Sequence, residues 1–196
     1  GITAFLLINW YVQYHKSYDN QIPVSDRVYR VLYQRWSESG DRVRFASASP
    51  TIGPALKQQF PDVESFGRAY KIEGVFFNQE IFFEEINTFY GETPTLEILG
   101  FDFVDGNSSN CLDAPRKVVI SESVAKKYFG DKNPIGRSLS LNKTTELEVT
   151  AVFKDRLPNQ HFKPDIIVSL ATWIEVNPKL FNEGWFNSGF YTYVKL

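Results

Sequence analysis

The sequence predicts an α+β fold, in which α-helices and β-strands are mixed without regular alternation. Short runs that alternate between apolar and polar residues predict strands, whereas apolar residues spaced three and four positions apart predict a few short helices. The predicted strands come in groups rather than each being followed by a helix, so their order does not match a doubly wound α/β fold. The 196 residues contain no internal repeats, low-complexity tracts or long linkers.

The first predicted element is an unusually apolar segment. Nine of the eleven residues from 2 to 12 are apolar or aromatic, but a membrane span needs about 20. The apolar residues are nearly continuous rather than confined to one stripe, which disfavours an amphipathic surface helix. Aromatic side chains stand where the run turns polar, as they do at membrane boundaries: Trp10, Tyr11 and Tyr14. We therefore expect residues 1–20 to be the outer end of a truncated transmembrane helix and its stalk; the alternative is a buried N-terminal helix.

A β-hairpin and a helix are predicted next. Residues 26–36 are rich in Val, Tyr and Leu and predict a strand, and a turn at Gly40 leads into a second strand over residues 43–48. Residues 49–61 predict a helix with Ser49 as the N-cap and a proline at its end. Two or three aromatic-rich strands are predicted to follow, across residues 65–72, 75–79 and 81–89. Residues 93–107 predict a short helix or turn leading into a glycine loop.

The clearest local signal lies in the middle of the chain. Residues 117–120 predict a buried strand, and Ser121 predicts the N-cap of a helix that Gly130 ends. The inner face of that helix carries Val124, Ala125, Tyr128 and Phe129. A turn over 131–142 leads into a further strand. The remaining predictions are an antiparallel partner strand at 146–155, a loop at 155–164, a strand at 165–170, a helix within 171–186 and a last strand at 189–196.

Composition argues against several classes of function. The net charge is −2 and no more than two basic residues are adjacent, so a phosphate-binding basic face and nucleic acid as a partner are disfavoured. No phosphate-binding GxxxxGK motif is present, so the chain is not itself a P-loop ATPase. The two histidines, His15 and His161, are far apart in sequence and predict no metal site. His161 is interpreted as an ordinary loop residue.

The sequence also offers no convincing active site. Cys111, the one cysteine, has no activating partner in its sequence neighbourhood. Glu84 and Glu85 are neighbours on a predicted strand, so they point to opposite faces and do not form a catalytic pair. Ser121 is accounted for as a helix cap. We therefore expect a protein that is not an enzyme and that needs no cofactor and no metal.

The stretch KVVISESVAKKYFGDKNPIGRSLSLN resembles the MacB-like periplasmic core domain of ABC transporter permeases of the MacB/FtsX type, in particular those of Bacteroidetes. In that family a buried strand runs into Ser-Glu-Ser, then a helix ending in Lys-Tyr-Phe-Gly, then Asp-x-x-Pro-Ile-Gly. The matching residues, taken as structural, are Ser121, Glu122, Ser123, Lys127, Tyr128, Phe129, Gly130, Pro134 and Gly136. Residues 17–31, 49–65 and 147–170 resemble the family in the same order, so the likeness covers nearly the whole chain.

The resemblance implies a domain between the first and second spans of a four-span permease. It implies a two-lobed fold, with a split βαβ–βαβ lobe from residues 27–89 and 160–196 and an inserted β-rich lobe from 90–159. The sequence lacks methionine and ends on a predicted strand, so we expect a fragment of such a longer protein.

The function implied by the resemblance is non-catalytic. The domain is expected in the periplasm, on a bacterial inner-membrane permease that couples cytoplasmic ATP hydrolysis to periplasmic movement during export or efflux. Its expected partners are an ABC ATPase subunit or domain, a second permease copy or paralogue in a dimer, and a periplasmic protein. Residues 14–23 are the candidate transmission segment. The alternatives are a ligand-binding sensor domain of a membrane receptor and an exported carbohydrate-binding module.

Overall fold

The structure is a computed structural model that describes residues 1–22, 24–79, 81–185 and 187–196. Its α-helices are α1 (Ile2–Lys16), α2 (Ile52–Gln59), α3 (Thr93–Ile98), α4 (Glu122–Phe129), α5 (Leu170–Val176) and α6 (Pro178–Glu183). Its strands are β1 (Val28–Arg30), β2 (Tyr33–Trp36), β3 (Arg42–Phe45), β4 (Ser65–Asn78), β5 (Ile81–Gly91), β6 (Phe103–Gly106), β7 (Lys117–Ser121), β8 (Ser138–Leu141), β9 (Thr145–Phe153), β10 (Ile166–Ser169) and β11 (Phe190–Lys195). A single 3₁₀ turn, Ser25–Arg27, precedes β1.

One large mixed sheet organises the domain. Within the described residues its strands follow the order β1-β11-β4-β5-β10-β7-β9-β6, with β8 pairing to both β4 and β9. The pairs β5–β10 and β7–β9 are parallel and the other pairs are antiparallel. A large mixed sheet with helices packed on it confirms the predicted mixture of α and β elements.

Both faces of the central strands are buried. Val118 and Ile120 of β7 pack into one apolar cluster and Val119, between them, packs into the other. Ile166 and Val168 of β10 are separated from Ile167 in the same way. Because successive side chains of a strand point to opposite faces, a strand covered on both sides reads as an unbroken apolar run. This explains the apolar sequence at 117–120 and confirms the buried strand predicted there.

The helices form largely where the sequence predicts them. The hydroxyl of Ser121 accepts a hydrogen bond from the Val124 amide at 3.3 Å, which confirms it as the N-cap of α4. Gly130 follows α4 with φ of 61°. The prediction that Ser49 caps α2 is wrong, because the helix begins later, at Ile52, with Thr51 at the N-cap position. The Ser49 hydroxyl contacts the Thr51 hydroxyl instead, at 2.6 Å.

The predicted strand over 26–36 is two separate strands. β1 pairs with β11 at the edge of the main sheet, whereas β2 pairs with β3 in a small two-stranded sheet of its own. The β2–β3 hairpin around Gly40 confirms the predicted turn. The chain changes partner at residues 31–32, and nothing in the local sequence breaks the strand pattern there.

The aromatic-rich region, where two or three strands are predicted, forms the two strands of one long hairpin. β4 and β5 pair from Ala69–Gly91 to Asn78–Ile81, with a shift in register between Ile72 and Gly74. Strands from the two predicted lobes share the main sheet, since β5 pairs with β10 and β10 pairs with β7. The division into lobes at 27–89 plus 160–196 and 90–159 stays a prediction.

Candidate functional site

Helix α1 is apolar and exposed on every side. None of its 15 residues is buried, so the alternative of a buried N-terminal helix is wrong. The aromatic residues predicted near a membrane lie along its outer surface, with Trp10 71%, Tyr11 63% and Tyr14 39% exposed. The rings of Tyr11, Tyr14 and Tyr18 pack around His15. In the described part of the chain, no helix combines the length and the hydropathy needed to cross a membrane.

The chain leaves α1 through a hydrogen-bonded junction, which we define as residues 17–22 together with the loop 157–163. The side-chain amide of Asn159 donates to the hydroxyl of Ser17 at 2.9 Å and to its carbonyl at 3.1 Å. The Asp19 amide donates to the Asn159 carbonyl at 3.0 Å. The loop 157–163 therefore holds the residues that directly follow α1.

His161 connects the junction to the main sheet. Both oxygens of Asp19 accept hydrogen bonds from His161, one from its backbone amide at 3.0 Å and one from Nδ1 at 2.8 Å. Because a carboxylate only accepts, Nδ1 donates to Asp19, and Nε2 forms a second hydrogen bond with the Tyr193 hydroxyl at 2.8 Å. Burial raises the pKa of Tyr193, which keeps that hydroxyl protonated. A continuous chain of hydrogen bonds thus runs from Asp19 to β11.

Arg156 fixes the start of the loop to the domain core. Its guanidinium donates to the carbonyls of Leu99 and Gly100 at 3.0 and 2.9 Å and lies 4.1 Å from the centre of the Phe101 ring. Burial lowers the pKa of Arg156 to about 10, so it remains charged at neutral pH. The loop is therefore held at both ends, by Arg156 to the segment after α3 and by His161 to β11.

The family-motif residues lie elsewhere, around α4. Ser123 contacts Asp155 through both its backbone amide and its hydroxyl. Lys127 donates to Glu85 at 2.7 Å and lies 4.0 Å from the centre of the Phe83 ring. Tyr128 is buried and donates to the same Glu85 oxygen at 2.9 Å. Burial, together with Glu85, raises the pKa of Tyr128.

The other motif residues bound the same helix and the turn after it. Phe129 and Pro134 are buried, Glu122 and Gly130 are exposed, and Gly136 has φ of 76°. The Gly136 amide donates to the Val149 carbonyl at 2.8 Å. These contacts hold α4 and its turn against β5 and β9. The structural role assigned to the motif residues and the membrane-proximal role of the α1 aromatics stay predictions.

No catalytic cluster forms around the groups considered from sequence. Cys111 is buried, and burial raises the pKa of its thiol to about 11. Glu85 is buried while Glu84 is exposed on the other face of β5, as the strand alternation predicts. Within the ranges that the structure describes, no group of three or more His, Cys, Asp or Glu side chains is arranged to hold a metal ion.

Sequence reasoning missed the residues of the junction that lie in the loop. His161 was interpreted as an ordinary loop residue, yet it contacts both Asp19 and Tyr193. No sequence feature around Asn159 indicated that it would bind the residues after α1. Both lie more than 140 positions from the residues that they bind after α1, so only the fold brings them together. The candidate transmission segment 14–23 includes Ser17 and Asp19, which the loop contacts, and its role in transmission stays a prediction. Pro23, in the same segment, lies outside the described residues.

Comparison with known proteins decides the family. A family model described as the MacB-like periplasmic core domain matches residues 1–196. The chain belongs to this family. It is therefore a MacB-like periplasmic domain of an ABC-type permease, on the periplasmic or extracellular side of a membrane transporter, which favours the permease over the sensor and carbohydrate-binding alternatives. A comparison with curated proteins returned no match.

Solved structures share the fold of this MacB-like domain. A domain of a protein described as a permease from Porphyromonas gingivalis superposes with a TM-score of 0.77 at 24% identity, covering 89% of this chain and 75% of the other. The periplasmic region of MacB from Actinobacillus actinomycetemcomitans gives 0.61 at 16% identity, covering 90% and 76%. The extracellular domain of the ABC-type transporter YknZ from Gram-positive bacteria gives 0.59 at 16% identity, covering 86% and 82%.

Proposed function

We propose that this MacB-like domain is a non-catalytic mechanical part of an ABC permease in a bacterial inner membrane. In this proposal it moves in the periplasm when an ATPase hydrolyses ATP in the cytoplasm, and that movement drives export or efflux. The observation that carries the proposal is the junction, which ties a fully exposed apolar helix to the main sheet by named hydrogen bonds. No cofactor is needed in this role.

The surface of α1 supports its placement in a membrane. A helix that is apolar all round is stable when it is covered by other protein or by lipid, and α1 has no buried residue. Its aromatic residues near the C-terminal end suit the boundary between lipid and water. We therefore assign α1 to the outer part of a membrane span, with Trp10, Tyr11 and Tyr14 at the interface.

The junction suits the transmission of a movement. Each link is a short hydrogen bond, from Ser17 and Asp19 to the loop, and from His161 to Tyr193 of β11. β11 lies between β1 and β4, one strand in from the edge of the main sheet, so a displacement of α1 reaches that sheet. Packed elements respond to such a displacement by moving as a body rather than by deforming.

The proposal also names partners. The energy comes from an ABC ATPase subunit or domain that acts through the membrane part of the permease. The permease works as a pair, with a second copy or a paralogue, and a periplasmic partner protein receives the movement.

Two variants that carry the same insertion at different positions test the proposal. In the full-length permease, Gly-Ser-Gly-Ser is inserted after Lys16, which separates α1 from the junction while leaving the junction residues in place. The control receives the same insertion after Gly40, in the exposed β2–β3 turn, where a side chain would contact nothing within 4 Å.

The two insertions are expected to differ in transport but not in nucleotide chemistry. The variant with the insertion after Lys16 binds and hydrolyses ATP but does not transport, whereas the variant with the insertion after Gly40 transports normally. Equal transport by both variants, with both present in the membrane at normal levels, would refute the mechanical role of the junction.

A further inference from the structure

A cavity of about 280 Å³ lies directly beside the junction. Its walls come from the residues after α1, from β1, from the end of α3, from the loop 157–163 and from β11. The apolar lining consists of Ile22, Val28 and Leu99, and the polar lining includes Arg30, His161 and Tyr193. The cavity therefore touches both the segment leaving α1 and the sheet.

Arg30 brings a positive charge into this cavity without a carboxylate partner. Its Nε is buried, and among the described residues it has no hydrogen-bond partner. None of the ion pairs found among the described residues includes Arg30. Arg30 as a whole is half-buried, and its guanidinium lies 4.4 Å from the centre of the Tyr191 ring, a cation–π contact.

The one acidic residue that lines the cavity is already engaged. Both oxygens of Asp19 accept hydrogen bonds from His161, so Asp19 is positioned for the histidine rather than for Arg30. The Tyr193 hydroxyl is likewise engaged with His161 Nε2. Arg30 thus lines the cavity as a cation with no ion pair among the described residues.

We propose that this cavity binds a small organic carboxylate, which accepts hydrogen bonds from the two terminal nitrogens of Arg30 and lays its apolar part against Ile22, Val28 and Leu99. A guanidinium binds a carboxylate through two parallel hydrogen bonds, a geometry that its planar shape favours. The apolar lining selects an organic acid over an inorganic anion.

The size of the cavity limits the ligand. Sites for drug-sized ligands enclose about 300–1,000 Å³, and this cavity lies just below that range. A single ring or a short aliphatic chain with one carboxylate fits such a volume. A ligand bound there touches Ile22 on the α1 side and Arg30 on the sheet side, so it would bridge the two sides of the junction. That consequence for transport rests on the proposed function, whereas the binding itself does not.

Benzoate is the probe, and benzamide is its neutral control. The 196-residue chain, labelled with ¹⁵N and held in mild detergent micelles at constant ionic strength, is titrated with each compound while its amide spectrum is recorded. Saturable shifts are expected with benzoate at the amides around the cavity, including Val28, Leu99 and His161. Benzamide is expected to bind at least about tenfold more weakly, because it lacks the charge that strengthens a hydrogen bond to Arg30.

Two variants and a control locate the site. Arg30→Gln removes the guanidinium and is expected to weaken benzoate binding by at least about tenfold, whereas Arg44→Gln, on the exposed β3 strand, is expected to leave it unchanged. Val28→Phe fills the cavity while keeping Arg30, so it tests the site even where Arg30→Gln does not fold. Absence of saturable shifts, equal binding of benzamide, or unchanged binding in Val28→Phe would each overturn the proposal. None of these results depends on transport.

Discussion

Removal of the Glu85 carboxylate is expected to destabilise the domain, because Glu85 joins the β4–β5 hairpin to α4. The Glu85 side chain is 9% exposed and accepts hydrogen bonds from Lys127 at 2.7 Å and Tyr128 at 2.9 Å. The variant Glu85→Ala leaves both donors without their acceptor. The matched control is Glu84→Ala, one position earlier on the same strand but with its side chain exposed.

The expected magnitude follows from the exposure of the two donors. A hydrogen bond to a charged group contributes about 1.5–3 kcal/mol. Tyr128 is 2% exposed and the other acceptor near its hydroxyl, the Phe76 carbonyl, is 3.5 Å away, so most of the loss applies to this bond. The Lys127 side chain is 34% exposed, so its bond is closer to a surface ion pair and adds at most about 1 kcal/mol. Glu85→Ala should therefore lower the free energy of unfolding by about 1.5–4 kcal/mol, where the lower value counts the Tyr128 bond alone and the upper value counts both bonds.

Thermal unfolding in a fixed mild detergent, followed by near-ultraviolet circular dichroism, measures this loss. For a domain of this size, each kcal/mol lowers the melting temperature by about 2–4 °C, so Glu85→Ala should lower it by about 3–16 °C. Glu84→Ala should change it by no more than about 2 °C, because exposed substitutions stay within about 0.5 kcal/mol. The double variant Glu85→Ala/Tyr128→Phe should be less destabilised than the sum of the single variants, since the two groups share a hydrogen bond. Equal melting temperatures for Glu85→Ala and Glu84→Ala would refute the reasoning.

Two further predictions concern pH and backbone geometry. Burial raises the pKa of the Cys111 thiol to about 11 from an ordinary value of 9.0. Between these two pH values the thiol ionises in the unfolded chain but stays neutral in the folded one. The contribution of Cys111 to stability is therefore complete below the unfolded-state pKa and is lost as pH rises towards 11. Urea unfolding at a series of pH values should therefore show a steeper alkaline loss of stability in the natural chain than in Cys111→Ala; parallel curves would contradict the assignment. Gly130 has φ of 61° and ψ of −128°, a conformation open essentially to glycine alone, so Gly130→Ala should cost about 1–3 kcal/mol although there is open space for a methyl group. Gly1→Ala, at an unrestricted position, serves as its control in chemical denaturation, and an unchanged midpoint for Gly130→Ala would count against strain.

The elements predicted best are those whose sequence signals are local. The strand 117–120, the Ser121 cap, α4 and Gly130 lie together in one stretch, and each depends on neighbours within a few residues. The prediction of one strand over 26–36 was wrong, because the segment forms two strands with different partners, β11 and β3. Its residues favour a strand throughout, and the choice of partner is made by distant residues. The Ser49 cap was wrong for a related reason, since its hydroxyl contacts Thr51 and the carbonyl of Gly184.

The sequence by itself determined the class of the fold, the apolar character of α1 and the family motif around α4. These follow from composition, periodicity and short-range spacing, which depend on contiguous residues. Only the tertiary structure decided that Glu85 meets Lys127 and Tyr128, that Asn159 and His161 hold the residues after α1, and that Arg30 faces a cavity with no carboxylate partner within the described residues. The hydrogen bonds among these contacts join residues 42 to 142 positions apart. The sequence around a residue does not indicate which distant group folding will bring into contact with its side chain.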